Sequence, residues 1–492
     1  MEHVEIIYLL CLAAAGTILI IYRLVYAVSS WTMMSIPCFG NRSIRHILLS
    51  SLVYPRLPVR TLGIDTLSPL RIILLVLFFG GTGVCNFIYI ENLSEASQRA
   101  GQISLMLLVP LFLSGGREFP ARLLGISLET YGFIHRHIGL MSAIQATLHV
   151  VIVSRSIKFD TSNSIHFSGL IGGCMLLSLL FLPMVKRRVY EAFLLQHLVC
   201  AIIGFIAIWK HTRPTSTWSQ WCLVSCVAAF SLTSVLQVMR IVYRNFVLGR
   251  RLVCMNVRPY GNDIVHVALS LPRPWTVRAG ERINLSVPSL GLFYFFQAHP
   301  FTITWWEEGE DESSHSISLM FRARTGFTRK LYDCLKPKQD YWAWIDGPYG
   351  PSLIQEYGAS RDVGDYGHIL MVTSGIGIAA QLPYVKDLIQ RHHRAEVRTQ
   401  RISLVWRLDQ AGDWESARDW LQQLVQYDNG YMLEVTVYDL LGRDSIPQSH
   451  KYGQHGLITF MSGEVDWKHI FDSEKKKQKG KLLVTGAAPP SS

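Results

Sequence analysis

Four histidines carry the most specific chemical signal in the chain. His135 and His149 stand fourteen residues apart in the apolar stretch YGFIHRHIGLMSAIQATLHV, from Tyr131 to Val150. His197 and His211 stand fourteen apart in EAFLLQHLVCAIIGFIAIWKH, from Glu191 to His211. In a helix, fourteen residues rise about 21 Å and return to within about 40° of the starting face. Each stretch therefore carries two imidazoles on one face, one near each end of a membrane span. Two such helices side by side make two stacked His–His pairs, the donor set that axial ligation of haem iron requires. A lone membrane histidine can also serve only to hydrogen-bond a neighbouring helix. Ionisable groups in spans are costly, however, and equal spacing in two helices is hard to reach by chance. His137 falls off the spacing and reads as a surface or propionate-side residue.

The elements that must hold these rings are membrane helices. The chain has 492 residues, 49% of them hydrophobic, and a mean hydropathy of +0.23. That is too long for one domain and too apolar for a purely soluble protein. Seven spans are expected, at 5–27, 69–90, 101–115, 131–153, 166–185, 192–210 and 217–238, the third being short. With seven spans, Arg42, Arg45, Arg56, Arg60, Arg117, Arg122, Lys186, Arg187, Arg188, Arg240, Arg244, Arg250 and Arg251 fall on one side. The opposite loops carry Arg99, Arg155, Lys158, Lys210 and Arg213. The positive-inside rule then puts the N-terminus outside and the C-terminal half in the cytosol. The net charge of +11 reads the same way, as basic loops at an anionic membrane surface. No nucleic-acid-binding signature accompanies it.

The N-terminal apolar run reads as an anchor, since it continues past Tyr22 without a cleavage-like site. Asn92-Leu93-Ser94 is a glycosylation sequon in an expected outer loop. The nine cysteines form no C-x-x-C pair, so they suggest neither a zinc site nor a disulfide framework. Cys222 and Cys226 share a helix face, which suits packing.

From about Leu252 the apolar runs shorten to strand length: IVHVALSL, RINLSVP, FTITWW, SISLMFRA and DYWAWIDGPYG. Their alternation and turn residues predict a small antiparallel barrel. From about His368 strands alternate with helices, through GHILMVTSGIGIAAQLPYVKDLIQR, RISLVWRL, DWESARDWLQQLVQ, MLEVTVYDL and KGKLLVTG. That alternation predicts a parallel α/β sheet. The run from Glu474 to Lys481 reads as a solvated connection.

Four short motifs in this half could bind anions or flavin. His299-Pro300-Phe301-Thr302 follows an aromatic stretch, with Pro300 fixing the backbone and Thr302 offering a hydroxyl. Around Arg322, Gly326 and Thr328, a turn glycine precedes a hydroxyl at an expected helix start. Backbone N–H groups there could hold a diphosphate, although an ordinary strand–turn–helix junction would look the same. Gly347-Pro348-Tyr349-Gly350 is either a turn bordering that cleft or a domain-boundary turn. Ser374-Gly375-Ile376-Gly377 lies between a strand and a helix, where small residues let backbone approach a pyrophosphate. Ala380 takes the third glycine position of the usual fingerprint. Arg407, ending the second strand, is either a contact for a 2′-phosphate or a solvated side chain.

From about residue 65 onward the sequence resembles the fungal ferric reductase family, within the ferric reductase and NADPH oxidase superfamily. His135, His149, His197 and His211 match that family's haem ligands. His299 to Thr302 match its FAD motif, Gly347 to Gly350 its interdomain turn, and SGIGIAAQLPYVKDL its NADPH loop and helix. The resemblance implies a multidomain membrane protein: an all-α transmembrane bundle, an antiparallel β-barrel FAD domain and a Rossmann-like α/β NADP domain. The expected boundaries are 1–68 for the first span and a cytosolic loop, 69–240 for the haem-binding bundle, 248–350 for the FAD domain and 360–492 for the NADPH domain. It also implies electron transfer from cytosolic NADPH through FAD and two b-type haems to an outer ferric or cupric chelate, at the plasma membrane. His135 and His197 would hold the inner haem, and His149 and His211 the outer one. The protein supplies placement and potential, so no general acid, base or nucleophile is expected.

One departure stands out. Where the family carries a cysteine–glycine–proline-like motif, this sequence has Thr485 and Gly486, and the final closing stretch is not present. The NADPH domain is therefore expected to be incomplete at its C-terminus, with Thr485 and Gly486 still near the nicotinamide. Two alternatives remain at this level. One is a superoxide-producing oxidase, a branch that typically has six spans and a one-residue shorter second histidine interval. The other is a catalytically impaired haem-binding paralogue. Nothing in the sequence indicates an oligomeric state.

Overall fold

The computed structural model describes residues 3–32, 49–53, 55, 67–113, 118–181, 190–212, 217–261, 263–291, 294, 297–309, 313–334, 336–337, 339–350, 363–410, 412–428, 432–439, 449–452 and 457–487. Arg42, Arg45, Arg56, Arg60, Arg117, Lys186, Arg187, Arg188 and Arg213, on which much of the charge pattern rests, lie outside the described residues. So do Cys38 and most of the aromatic stretch before His299. Two compact units are present. The first holds Met1–Gln237, and the second holds Val238–Pro351 and Ser360–Ser492.

The first unit is helical. Its helices are α1 (His3–Thr32), α2 (Pro69–Cys85), α3 (Leu93–Leu111), the short α4 (Glu118–Leu124), α5 (Leu128–Ser156), α6 (Ser164–Phe181), α7 (Tyr190–Thr212) and α8 (Thr217–Asn245), whose last residues, from Val238, belong to the second unit. Five of them, α1, α5, α6, α7 and α8, are long and apolar enough to cross a membrane. The other two expected spans fall short of that, for different reasons. Helix α2 is apolar but only 17 residues long. Helix α3 is polar in its first turns, with Ser94, Glu95, Gln98 and Arg99, yet most of its later residues are buried.

A polar helix in an apolar bundle must be enclosed by protein, and the details agree. Ser104 Oγ of α3 donates to Ser142 O of α5 at 2.9 Å. Arg99, expected in an outer loop, is instead buried within α3, where it donates to Ile88 O at 2.5 Å and Cys85 O at 3.3 Å. It thereby satisfies carbonyls left open at the end of α2. Asn92 of the sequon caps α3 by accepting from Glu95 N at 3.0 Å. Many large apolar side chains of the bundle face outward, such as Leu10, Leu77 and Leu195, as lipid-facing helices require. The eight described cysteines are unpaired, and Cys222 and Cys226 lie in the bundle core.

The second unit opens with a curled antiparallel sheet. Its strands are β1 (Cys254–Tyr260), β2 (Ile264–Trp275), β3 (Arg282–Ser286), β4 (His299–Glu308), β5 (Ser314–Arg322), β6 (Asp340–Trp342) and β7 (Trp344–Tyr349). Helix α9 (Phe327–Cys334) lies between β5 and β6, and the strand order is β6-β1-β2-β5-β4-β3-β7. Alternation fills its core with Val257, Val265, Val267, Leu269, Ile283, Leu285 and Ile317. Strand β1 was not anticipated, because Asn256, Arg258 and Pro259 interrupt its apolar pattern.

The α/β part follows with β8 (His368–Ser374), α10 (Ile378–His393), β9 (Arg401–Leu408), α11 (Gly412–Tyr427), β10 (Leu433–Asp439), β11 (Ser449–Tyr452), β12 (Ile458–Ser462), α12 (Trp467–Lys476) and β13 (Leu482–Ala487). Its sheet order is β11-β12-β10-β9-β8-β13, parallel apart from β11. The chain leaves β8 toward β9 on one side and returns to β13 on the other. The crevice between β8 and β13 is thus the switch point where such sheets bind ligands.

The lysine-rich run is corrected here. Glu474 to Lys476 end α12, and Glu474 is buried, accepting from Ser403 Oγ and pairing with Arg401 at 3.2 Å and His368 at 3.0 Å. A helix N-capped by Asp466 and pinned by that one buried carboxylate takes in the first three residues of the run, and the rest, from Lys477 to Lys481, is the exposed connection expected.

Candidate electron-transfer centre

In the helical unit, the spacing of fourteen produces two facing pairs. The ring centres of His135 and His197 are 6.3 Å apart, and those of His149 and His211 are 6.2 Å apart. A metal–imidazole bond of about 2.0 Å, with the ring centre about 1.1 Å behind the nitrogen, gives about 6.2 Å between two rings on one metal. Both pairs therefore suit two axial ligands of a haem iron. Their tautomers can be read in one pair. His149 Nδ1 lies 2.8 Å from Ser97 O, and His211 Nδ1 lies 2.9 Å from Ile165 O. A carbonyl only accepts, so each Nδ1 carries the proton and each Nε2 keeps its lone pair for a metal. Among the described residues no group of three or more His, Cys, Asp or Glu could hold a metal ion. Pairs are what a haem needs, because the porphyrin supplies the other four donors. His137 turns away to its own helix, where Nδ1 bonds Phe133 O at 2.8 Å.

In the antiparallel sheet, the HPFT motif splits by strand alternation. His299 and Phe301 point inward, whereas Pro300 and Thr302 are exposed. The His299 ring stacks on Phe327 at 3.9 Å and 12°, and Phe301 packs on Phe321 at 4.4 Å. Phe327 is the first residue of α9, just after Gly326 at φ +70°. The stack thus brings the start of β4 to the N-terminus of a helix, where free N–H groups and the helix dipole favour a diphosphate. Thr328 Oγ1 accepts from Arg324 N at 3.0 Å and tightens that turn. His299 Nε2 is buried with no hydrogen-bond partner among the described residues, and burial pushes the imidazole down to about 4. An orphaned neutral nitrogen beside a helix start suits a ligand that supplies the missing partner.

Arg322 bridges two carboxylates. It pairs with Asp263 at 3.1 Å and with Asp413 of α11 at 2.7 Å, so it joins the antiparallel sheet to the α/β part. Asp413 also accepts from Asp409 N and Gln410 N, at 2.8 and 2.9 Å. Gly347 to Gly350 close β7. A Cβ on Gly347 would stand 2.8 Å from Ile283 Cγ2, Tyr349 is buried with its hydroxyl on Asp346 at 2.6 Å, and Gly350 faces Arg282. Arg240, from the end of α8 in this same unit, lies 4.6 Å over the Tyr349 ring and donates to Pro348 O at 2.8 Å. These contacts pack the motif into a tight turn.

The SGIG loop stands over the switch point. Gly375 has φ +47°, and a Cβ there would strike the Asp409 carboxylate. A Cβ on Gly377 would meet Ala487 O and, at 2.7 Å, Thr373 Oγ1. Thr373 donates to Ala487 O at 2.9 Å, which closes the floor of the crevice between β8 and β13. Ser374 and Ile376 flank these glycines, and a 3-10 turn over Gly375–Gly377 runs into α10 at Ile378, whose N–H bonds back to Gly375 O, so the donors at this helix start are those of the glycine loop itself. Thr485, on β13, contacts Gln381 Oε1 at 3.3 Å, and Gly486 follows it on the exposed side of that strand. Arg407 lies beside Ser374 in the sheet and pairs with Asp409 at 3.1 Å, its side chain 39% exposed. Residues 488–492 lie outside the described residues.

Sequence reasoning missed Ser97, Ile165, Phe327, Thr373, Asp409 and Asp413. It also missed the joint between the two parts of this unit. There His266 stacks on Trp420 at 4.6 Å, and Lys386 lies 4.5 Å over Trp305 while donating to Trp306 O. Burial lowers His266 to about 4 and Lys386 to about 8.

Comparison with known proteins follows the same division. Residues 100–209 match the "Ferric reductase like transmembrane component", 250–353 an "FAD-binding domain", and 366–440 the "Ferric reductase NAD binding domain". The chain carries the ferric-reductase transmembrane, FAD-binding and NAD-binding domains. Similar proteins include a probable cell surface ferric reductase of Aspergillus oryzae, 24% identical over 394 residues, covering 72% of this chain and 50% of the relative. Ferric reductase transmembrane component 6 of Saccharomyces cerevisiae is 24% identical over 322 residues, covering 62% and 43%. Ferric/cupric reductase transmembrane component 2 of the same yeast is 22% identical over 390 residues, covering 76% and 52%. The chain spans about half the length of these relatives. With five apolar helices and the ferric-reductase transmembrane domain, it is an integral membrane protein.

Proposed function

We propose that the chain carries electrons across a membrane, from NADPH through FAD and two b-type haems to a ferric or cupric chelate on the far side. The observation that carries this reading is the pair of imidazole separations, 6.3 and 6.2 Å, in a chain with FAD-binding and NAD-binding domains. When bound, FAD takes a hydride from NADPH and releases its two electrons singly to the haems, which deliver them to the metal complex.

The residues supply binding and orientation. His135 with His197, and His149 with His211, would each hold one haem iron through neutral imidazole. The helix start at Gly326 to Thr328, backed by His299, would take the flavin diphosphate, with Pro300, Phe301 and Thr302 along the same strand. Ser374 to Gly377 would take the dinucleotide pyrophosphate at the α10 N-terminus. Arg407 favours the 2′-phosphate of NADPH, although Asp409 takes part of its charge. Thr485 and Gly486 line the far wall of that crevice. His135, His149, His197 and His211 would all be committed to holding the haem irons, which would supply outer-sphere electron transfer to the metal complex. An N-terminus outside and a cytosolic C-terminal half is the orientation that fits the charge pattern of the loops, and the likeness to a probable cell surface ferric reductase favours the plasma membrane.

Membranes from cells expressing the chain should reduce ferric citrate when given NADPH, well above control membranes. Equal rates in the two would overturn the reading, and superoxide release without iron reduction would point to oxygen as the acceptor.

A further inference from the structure

His149 and His211 share a support that the histidine spacing does not announce. On α3, Ser97 O accepts from His149 Nδ1 at 2.8 Å. Four residues on, a Cβ at Gly101 would stand 3.1 Å from that same nitrogen. On α6, Ile165 O accepts from His211 Nδ1 at 2.9 Å. Four residues on, a Cβ at Gly169 would stand 2.7 Å from that nitrogen. The same arrangement thus occurs twice, on two different helices, once for each ring of one pair. On the helices that carry His135 and His197, a Cβ at Gly132, Gly139 or Gly204 would touch neither ring.

The recurrence has a physical basis. In a helix the carbonyl of residue i bonds the N–H of residue i+4, and the i+4 side chain leans back over that carbonyl. Glycine at i+4 leaves the carbonyl uncovered, so a ring from the next helix can reach its second lone pair. Ser97 adds a hydroxyl 3.1 Å from His149 Nδ1, and that hydroxyl donates to His149 O at 3.3 Å.

We propose that Ser97 with Gly101, and Ile165 with Gly169, are paired positioning devices that hold His149 and His211 as Nδ1–H tautomers and lower the reduction potential of the haem between them. An N–H given to a carbonyl makes the imidazole a stronger donor, which favours ferric over ferrous iron. The inference rests on the haem reading above.

The test is a redox titration of the visible haem bands in purified full chain, with haem content measured on the same samples. In Gly101→Ala and Gly169→Ala, one of the two midpoints should rise while the other stays. Gly139→Ala is the control, since its Cβ would come no nearer than 4.0 Å to Leu111, and it should titrate like the unmodified chain. Full haem content with both midpoints unmoved in both variants would overturn the proposal.

Should the alanine variants not fold, His211→Gly supplied with free imidazole or 1-methylimidazole asks the same question. The methylated ligand has no N–H for Ile165 O. It should bind about tenfold more weakly, about 1.4 kcal/mol, and give the higher midpoint. Equal binding and equal midpoints would overturn the proposal. An unmodified chain without haem bands would overturn the haem reading itself, and this inference with it.

Discussion

The helical unit and the β-rich unit would hold their proposed ligands by opposite means. In the helices, side chains would do the binding: four imidazoles are presented, and the backbone of α3 and α6 holds two of them from behind. In the second unit, backbone would do the binding, at the turns before α9 and α10, while side chains such as His299 and Asp409 shape those turns. A metal in an apolar bundle calls for a strong neutral donor, which imidazole is and an amide is not. A diphosphate calls for several convergent N–H groups, which a helix start provides at no charge cost.

Substitutions can break this contrast. The largest effect is expected at the imidazoles. His197→Ala should remove one of two haems and reduce ferric-chelate turnover to background. A pyridine haemochrome assay checks the first and a ferric citrate assay the second. Next is the crevice, where Gly377→Val should block the pyrophosphate site with branched carbon against Ala487 O. NADPH-driven haem reduction should fall about 100-fold, about 2.7 kcal/mol, with the dithionite-reduced spectrum unchanged. Gly326→Ala forces a left-handed residue at a cost of about 1–2 kcal/mol. Flavin affinity should drop about tenfold by fluorescence titration while both haems stay. Arg407→Ala should raise the KM for NADPH about tenfold and leave that for NADH unmoved.

The smallest effect is on stability. Burial alone would raise the Glu474 carboxyl, but hydrogen bonds from Arg401 and Ser403, with the charges of Arg401 and Lys477, bring it down to about 2. A depressed carboxylate stabilises the fold above its ordinary value of 4.5 and loses that contribution as pH falls toward about 2. Thermal melts of the full chain should show Glu474→Gln less stable at neutral pH. The difference from the unmodified chain should shrink as pH falls from about 4.5 toward 2.

The same contrast governs what the sequence revealed. The imidazole pairs were legible because a side chain on a helix repeats with a known period, so His135, His149, His197 and His211 could be paired without seeing the fold. Their supports were not legible, since Ser97 and Ile165 act through carbonyls that any residue carries. The glycine turns at Gly326 and Gly375 to Gly377 were legible from residue type, but the partners of Arg322 were not. Its two carboxylate partners come from β2's approach and from α11, a contact over 91 positions that no local pattern announces. The run Glu474 to Lys481 was legible as exposed chain except at Glu474, whose charge reads as solvent exposure but which is buried among cations and hydroxyls. Strand β1, and β11 with β12, escaped because their polar residues hide the alternation that only pairing makes plain.

The most direct test of the whole account is the visible spectrum of membranes containing the full chain, recorded oxidised, after NADPH and after dithionite. The account predicts b-type haem bands that NADPH reduces to the extent that dithionite does. Haem bands that respond to dithionite alone would contradict it, by separating the imidazole pairs from the nucleotide crevice they are proposed to serve.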